Sequence, residues 1–178
     1  MNIFCIHEEA AKSAYELPDQ YIKSKMIIES AIMLQHCFSN ETLASSSCPR
    51  TLAGSVRKSG GGYYNHPCSK WVRESVTNYV WLCLHAKAMC DERRNRFPNS
   101  KKHFTEDFID WCLCNNTSTK LSDKGLTPFA EAFTKNSKCT SLPTFKDSNT
   151  QQRYRLYIKH DKEFATWTNT TTPEWYLN

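Results

Sequence analysis

No stretch of the sequence runs for eighteen apolar residues, and no basic segment followed by an apolar one opens it. A membrane span needs the first and a secretory leader needs the second, so neither is expected and the cytoplasm is the expected location, the host's if the gene belongs to a phage. No Cys-x-x-Cys and no His-x-x-x-His occurs, which leaves no pair at ligand spacing, and no zinc site or other metal is expected. The Gly-Lys-Ser/Thr of a phosphate loop is missing, although Gly60, Gly61 and Gly62 stand in a row. There is no internal repeat and no strand-rich region, and nothing points to a cofactor.

What is present fits one domain. A chain of 178 residues buries about 70% of its unfolded surface, enough for a core without staples. The nine cysteines are odd in number and scattered, with Cys112 and Cys114 one residue apart, and they read as reduced thiols rather than a disulfide framework. The formal charge of +5 favours an acidic partner, nucleic acid first, although a solvated basic surface gives the same total.

The stretch 17–36 organises the chain. Pro18 and Asp19 read as a helix start with Asp19 as N-cap, and Ile22, Met26, Ile27, Ile28, Ile32, Met33 and Leu34 follow without a breaker. At 100° per residue Ile27, Ala31 and Leu34 fall on one side and Ile22, Met26 and Met33 towards the other, so both flanks call for burial. Lys25, Glu29 and His36 lie between them. Lys25 and Glu29, four apart, suit a plain ion pair; a carboxylate among apolar neighbours also suits an acid or base poised for catalysis.

Around this helix the sequence predicts an all-α fold, a compact single-domain bundle over 1–178 with long irregular loops. The apolar start at 1–7 is expected to tuck the terminus into the fold, and 8–15 to form a short helix. The segment 39–64 reads as a long polar loop. In it Arg50, Arg57 and Lys58 precede Tyr63 and Tyr64, an order that suits phosphates and an unstacked base and equally suits a plain surface loop. A single long helix is expected over 68–96, opened by Asn65-His66-Pro67, with Ser75, Asn78 and His85 as buried polar groups on its inner face, in a site or in a core network. Arg93, Arg94, Arg96, Lys101 and Lys102 make the densest positive cluster. Further helices are expected over 105–114 and 150–167, and the aromatic tail 168–178 is expected to dock on the bundle.

Three segments together carry a resemblance. The spacing of Asp19, Lys25, Glu29 and Leu34, the block Asn65-His66-Pro67 with Trp71 and Cys90-Asp91-Glu92, and the group Tyr154, Lys162 and Trp167 to Trp175 are similar to small bacterial and phage members of the endonuclease V-like pyrimidine-dimer DNA glycosylases. The resemblance covers about half of the chain. It implies an all-helical fold whose first helix threads between others. It also implies a mechanism in which the N-terminal α-amine attacks sugar C1′ and a glutamate assists cleavage. An α-amine suits this because it titrates near 8, against above 10 for a lysine. Where that family often carries Arg and Gln, Ile22 and Ile32 stand here.

The expected function is therefore a DNA-processing enzyme acting on a damaged or modified base in duplex DNA, a monomer with glycosylase and abasic-site lyase chemistry. Glu29 is the expected catalytic residue, with the amine of Met1 or Asn2 as nucleophile, Lys25 beside it, and Asp19, His66, Ser75, Asn78 and His85 supporting the pocket. Arg57, Lys58, Arg73, Arg93, Arg94, Arg96, Lys101 and Lys102 are expected to hold phosphates, and Tyr63 or Tyr64 to fill the base stack. A base- or nucleotide-modifying phage enzyme on the same fold, and a non-enzymatic basic protein that binds DNA or another protein, stand as alternatives.

Overall fold

In the computed structural model, which describes residues 1–178, the chain forms nine α-helices and no β-strand: α1 (Ala10–Tyr15), α2 (Met26–Gln35), α3 (Asn40–Ala44), α4 (Pro67–Glu74), α5 (Val76–Arg96), α6 (Glu106–Cys114), α7 (Pro143–Asp147), α8 (Thr150–Asp161) and α9 (Glu174–Leu177). The fold is all-α, as the sequence pattern predicts. None of the helices is long and apolar enough to cross a membrane.

The longest helix, α5, packs against α1, α2, α4 and α6. Helix α2 is buried on both flanks through Met26, Ile27, Ala31, Met33 and Leu34, which leaves only a narrow stripe to face anything but protein. The N-terminal segment 2–6 is wholly buried beside these helices, and Phe4 holds a left-handed backbone conformation there, at φ +53°. All nine cysteines are free, eight buried and Cys114 exposed.

Five expectations about local structure are corrected. The segment 39–64 is not loop throughout, since the Ser39 hydroxyl accepts the Thr42 N–H and opens the short helix α3. Residues 68–96 are two helices, because Ser75 is extended and its hydroxyl accepts the N–H groups of Thr77 and Lys124, while the Val76 N–H goes to the Ser122 carbonyl. The incoming 122–124 segment thus takes backbone groups that a continuous helix needs for itself. Asp19 does not cap α2, since the Pro18 carbonyl accepts the Tyr21 N–H and the Asp19 carboxylate turns to Arg96 and Thr168. The turn before α2, Tyr21–Lys25, is π-helical, so positions before and after it lose the common register assumed for one regular helix. The last long helix stops at Asp161, not at 167; α8 opens on an Asn149–Gln152 capping box, and the Asp161 carboxylate accepts the N–H groups of Lys138 and Cys139. Beyond it the chain docks back through Trp167 and Trp175, whose indole N–H groups donate to the Glu16 carbonyl and carboxylate.

Candidate active site

The N-terminal segment, the π-helical turn and α2 meet the loop 130–134 and the end of α8 around a cavity of about 250 Å³. Met1, Asn2, Phe4, Tyr21, Lys25, Met26, Glu29, Ala132, Thr134, Tyr157, Lys162 and Phe164 line it. The loop is placed from the long helix outward. Asn78 donates to the Trp71 carbonyl and the Thr127 hydroxyl and accepts the Thr127 N–H, while Tyr154 accepts the Ala132 N–H and donates to the Ala130 carbonyl. The Asn2 side chain then donates to the Ala132 carbonyl at 2.7 Å, tying terminus to loop.

Two polar clusters share the cavity. In the first, Glu29 Oε2 accepts the Asn2 N–H at 2.8 Å and lies 3.8 Å from the Met1 α-amine. The Met1 side chain is anchored by the Ser69 hydroxyl, 3.4 Å from its sulfur. In the second, the Tyr157 hydroxyl receives Lys162 Nζ at 3.0 Å and the Thr134 N–H at 3.3 Å, and it touches the Thr134 hydroxyl. Burial pushes the Tyr157 phenol up, but the Lys162 and Thr134 hydrogen bonds outweigh it and hold the group below its ordinary value of 10. Between the clusters the Tyr21 hydroxyl is buried without a hydrogen-bond partner, and burial, then the nearby Tyr157 and Glu29, push it up. Aromatic rings make the wall: Phe4 stacks on Tyr21 at 4.2 Å between centroids and lies nearly parallel to Tyr157 at 6.0 Å.

No family model, curated protein or solved structure matches the chain.

The structure brings Met1, Asn2, Lys25 and Glu29 into this one cavity. Lys25 and Glu29 form no ion pair, because Glu29 turns to the terminus and Lys25 is exposed at the end of the π-helical turn. His66 caps α4 by accepting the Cys68 N–H. It stands near enough to the site that burial and then the α-amine lower its affinity for a proton, with Glu29 opposing them. The other supporting residues do not face Glu29. Asp19 holds the segment after α8 through Thr166 and Thr168, Ser75 caps α5, and Asn78 places residue 127. His85 bonds the Ala10 carbonyl under Trp81.

The expected phosphate-binding residues divide in the same way. Arg96 is closed off from solvent and bonded to Glu92, Asp19 and the Leu17 carbonyl. Arg57 is buried, donating to the Pro49 carbonyl, with its guanidinium 3.9 Å from the centre of the Phe108 ring. Both lie beyond the reach of a nucleic-acid backbone. Arg94 is committed to Glu106 and Asp91, and Lys102 to Asp107. Arg93 and Arg73 are held by backbone carbonyls instead of carboxylates. Lys25 lines the cavity; two residues earlier the Lys23 carbonyl accepts Arg93 Nε at 2.8 Å, and Arg93 also donates to the Lys101 carbonyl. Beyond His66, Arg73 lies 3.5 Å over the Tyr64 ring and donates to the Tyr64 carbonyl; with Lys70, Tyr64 and His36 it lines an open hollow of about 450 Å³. Lys58 and Tyr63 are exposed.

Sequence reasoning missed Tyr21, Thr134 and Tyr157 as site residues, and Lys162 entered only through the resemblance. The helical spacing of Tyr154, Tyr157 and Ile158 marks a core face, and Tyr157 does pack there; only the turn at Lys162 brings the ammonium back onto its hydroxyl.

Proposed function

We propose that the protein is a DNA-processing enzyme that removes a damaged or modified base and cleaves the strand at the abasic site, with the Met1 α-amine as nucleophile and Glu29 as acid/base. The observation that carries this reading is the placement of an amine 3.8 Å from a carboxylate in the wall of a cavity rimmed by aromatic rings. The amine forms a bond to C1′ as the glycosidic bond breaks, and the sugar ring opens to an iminium ion. Glu29 removes a proton from C2′, the electrons shift, and the 3′ phosphate leaves; water then hydrolyses the iminium and frees the enzyme. The site is too narrow for a stacked duplex to enter, so the nucleotide is presented out of the helix. Arg73, Lys70, Arg93, Lys101, Lys23 and Lys25 hold the phosphates on either side, and the protein acts as a monomer.

The test is borohydride trapping on duplex DNA bearing an abasic site or a pyrimidine dimer. A covalent adduct is expected at the N-terminal peptide, abolished by blocking the α-amine. Glu29→Gln is expected to retain the adduct and lose strand cleavage by roughly 10²- to 10⁴-fold, the usual weight of a positioned acid/base. Tight DNA binding without any adduct would refute the nucleophile and favour a base-modifying reaction or binding alone.

A further inference from the structure

The amine reading leaves one chemical need unmet. A base that departs from C1′ carries away the electron pair of the glycosidic bond and needs a proton. Glu29 sits on the nucleophile's side, engaged with the Asn2 N–H and facing the amine. Across the same cavity stands the Tyr157 hydroxyl, and two of its neighbours, the Lys162 ammonium and the Thr134 N–H, can only donate. An oxygen met by donors is suited to bear negative charge after giving up its proton.

We propose that Tyr157 is the general acid of this site, donating its phenolic proton to the group that leaves C1′ while Lys162 and Thr134 hold the resulting phenolate. The assignment rests on the amine-nucleophile reading. As the amine nitrogen bonds C1′, the C1′–N bond of the nucleotide breaks, its electrons pass to the base, and the Tyr157 proton joins the base at the same time. At an abasic site the leaving group is hydroxyl, and the same proton makes it water. Lys162 stays protonated throughout, and the phenolate regains a proton from solvent after release.

A second observation points to an occupant beside Tyr157. The Tyr21 hydroxyl is 96% buried with its ring, has no partner, and belongs to the same lining. A polar edge brought in against the Phe4, Tyr21 and Tyr157 rings satisfies it. A cavity of about 150 Å³ is enough for a benzene ring, so about 250 Å³ admits one six-membered heterocycle with its substituents. The occupant expected here is a single unstacked base, with the Tyr21 hydroxyl at its edge and Tyr157 at the atom that receives the proton.

The charged and titratable groups facing Tyr157 are Lys162 beyond α8, Lys25 and Tyr21 from the π-helical turn, Glu29 from α2, and the α-amine. The experiment is the rate of cyanoborohydride trapping on abasic-site duplex from neutral to alkaline pH. In the wild type the rate is expected to fall on the alkaline side as the phenol ionises. Tyr157→Phe keeps the ring in its packing and is expected to slow trapping by roughly 10²- to 10⁴-fold and to abolish that alkaline fall. Lys162→Met is expected to move the fall to higher pH. A parallel absorbance titration is expected to show one of the eight tyrosines ionising ahead of the rest, and to lose that step in Tyr157→Phe. Trapping by Tyr157→Phe at the wild-type rate with the alkaline fall intact overturns the acid and leaves the amine reading standing. No adduct with the wild type overturns the amine reading, and the acid with it.

Discussion

Arg96 Nη1 lies 3.1 Å from Asp19 Oδ1, and both side chains are shut away from solvent. The same guanidinium bonds the Glu92 carboxylate and the Leu17 carbonyl, so it joins the last turn of α5 to the chain entering the π-helical turn. Asp19 passes the link on to the Thr166 and Thr168 hydroxyls. Burial pushes the Asp19 carboxyl up, but the Thr168 and Arg96 hydrogen bonds outweigh it and hold it below the ordinary carboxylate value.

Removing the arginine leaves a buried carboxylate unpaired, the costly half of a buried ion pair. Arg96→Met is therefore expected to destabilise the fold by about 3–5 kcal/mol, measured as the shift in the urea-unfolding curve. The salt dependence of DNA binding is expected to stay unchanged in this variant, because Arg96 reaches no phosphate. A shallower salt dependence with little change in stability would reverse the assignment.

The Arg96 case shows where sequence is legible and where it is not. In the row Arg93, Arg94, Asn95, Arg96 the four positions turn through most of a helical circle, so neighbours that look alike take different fates: Arg96 inward, Arg94 to Glu106, and Arg93 to carbonyls of Lys23 and Lys101. Charge composition records the cluster and is silent on its partners, which lie up to 81 residues away in the chain. Local signals fared better. The two apolar flanks of α2 follow from spacing alone, and both are buried. The gathering of Met1, Asn2 and Glu29 follows once α2 is buried and the apolar terminus needs a place beside it. The break at Ser75 depends on residues 122–124 arriving from elsewhere, and the Tyr157–Lys162 hydrogen bond on where α8 stops, and no periodicity encodes either.

Arg73 separates surface cations that are free to bind from those already paired. It stacks on Tyr64 and has no carboxylate partner, whereas Arg94 is held by Glu106 and Asp91. On duplex DNA, each phosphate that the protein ceases to neutralise is expected to lower the slope of log affinity against log salt by about 0.9. Arg73→Gln is thus expected to make the slope shallower by about that amount and to weaken binding to all sequences alike, while Arg94→Gln leaves it in place. Equal slopes for Arg73→Gln and wild type, measured by fluorescence anisotropy over a salt series, would remove Arg73 from the interface.

His85 gives the fold a dependence on pH that owes nothing to the active site. Its Nδ1–H donates to the Ala10 carbonyl, its ring stacks on Trp81, and its Nε2 is buried without a partner. Burial lowers it from 6.5 to about 4, against the pull of the Ala10 and Ile3 carbonyls. The unfolded chain therefore takes up a proton near 6.5 that the folded protein refuses until about 4. Stability falls as pH drops through that interval and is flat in this respect below it, the total from this residue being roughly 3 kcal/mol. His103 is lowered to about 4 as well, chiefly by burial, and adds a second proton over the same interval. His7, His36 and His66 are also held below their ordinary value, so the wild-type slope is steeper than one proton. The Asp19 contribution separates from these because it is present above the unfolded carboxylate value and disappears only at still lower pH. His85→Gln removes one proton from the count and keeps an amide donor for Ala10. Urea-unfolding free energies taken between neutral pH and about pH 4.5 are expected to fall less in this variant than in the wild type, by close to one proton's slope, about 1.4 kcal/mol per pH unit. Parallel curves for the two proteins would mean that the buried imidazole is protonated in the fold after all.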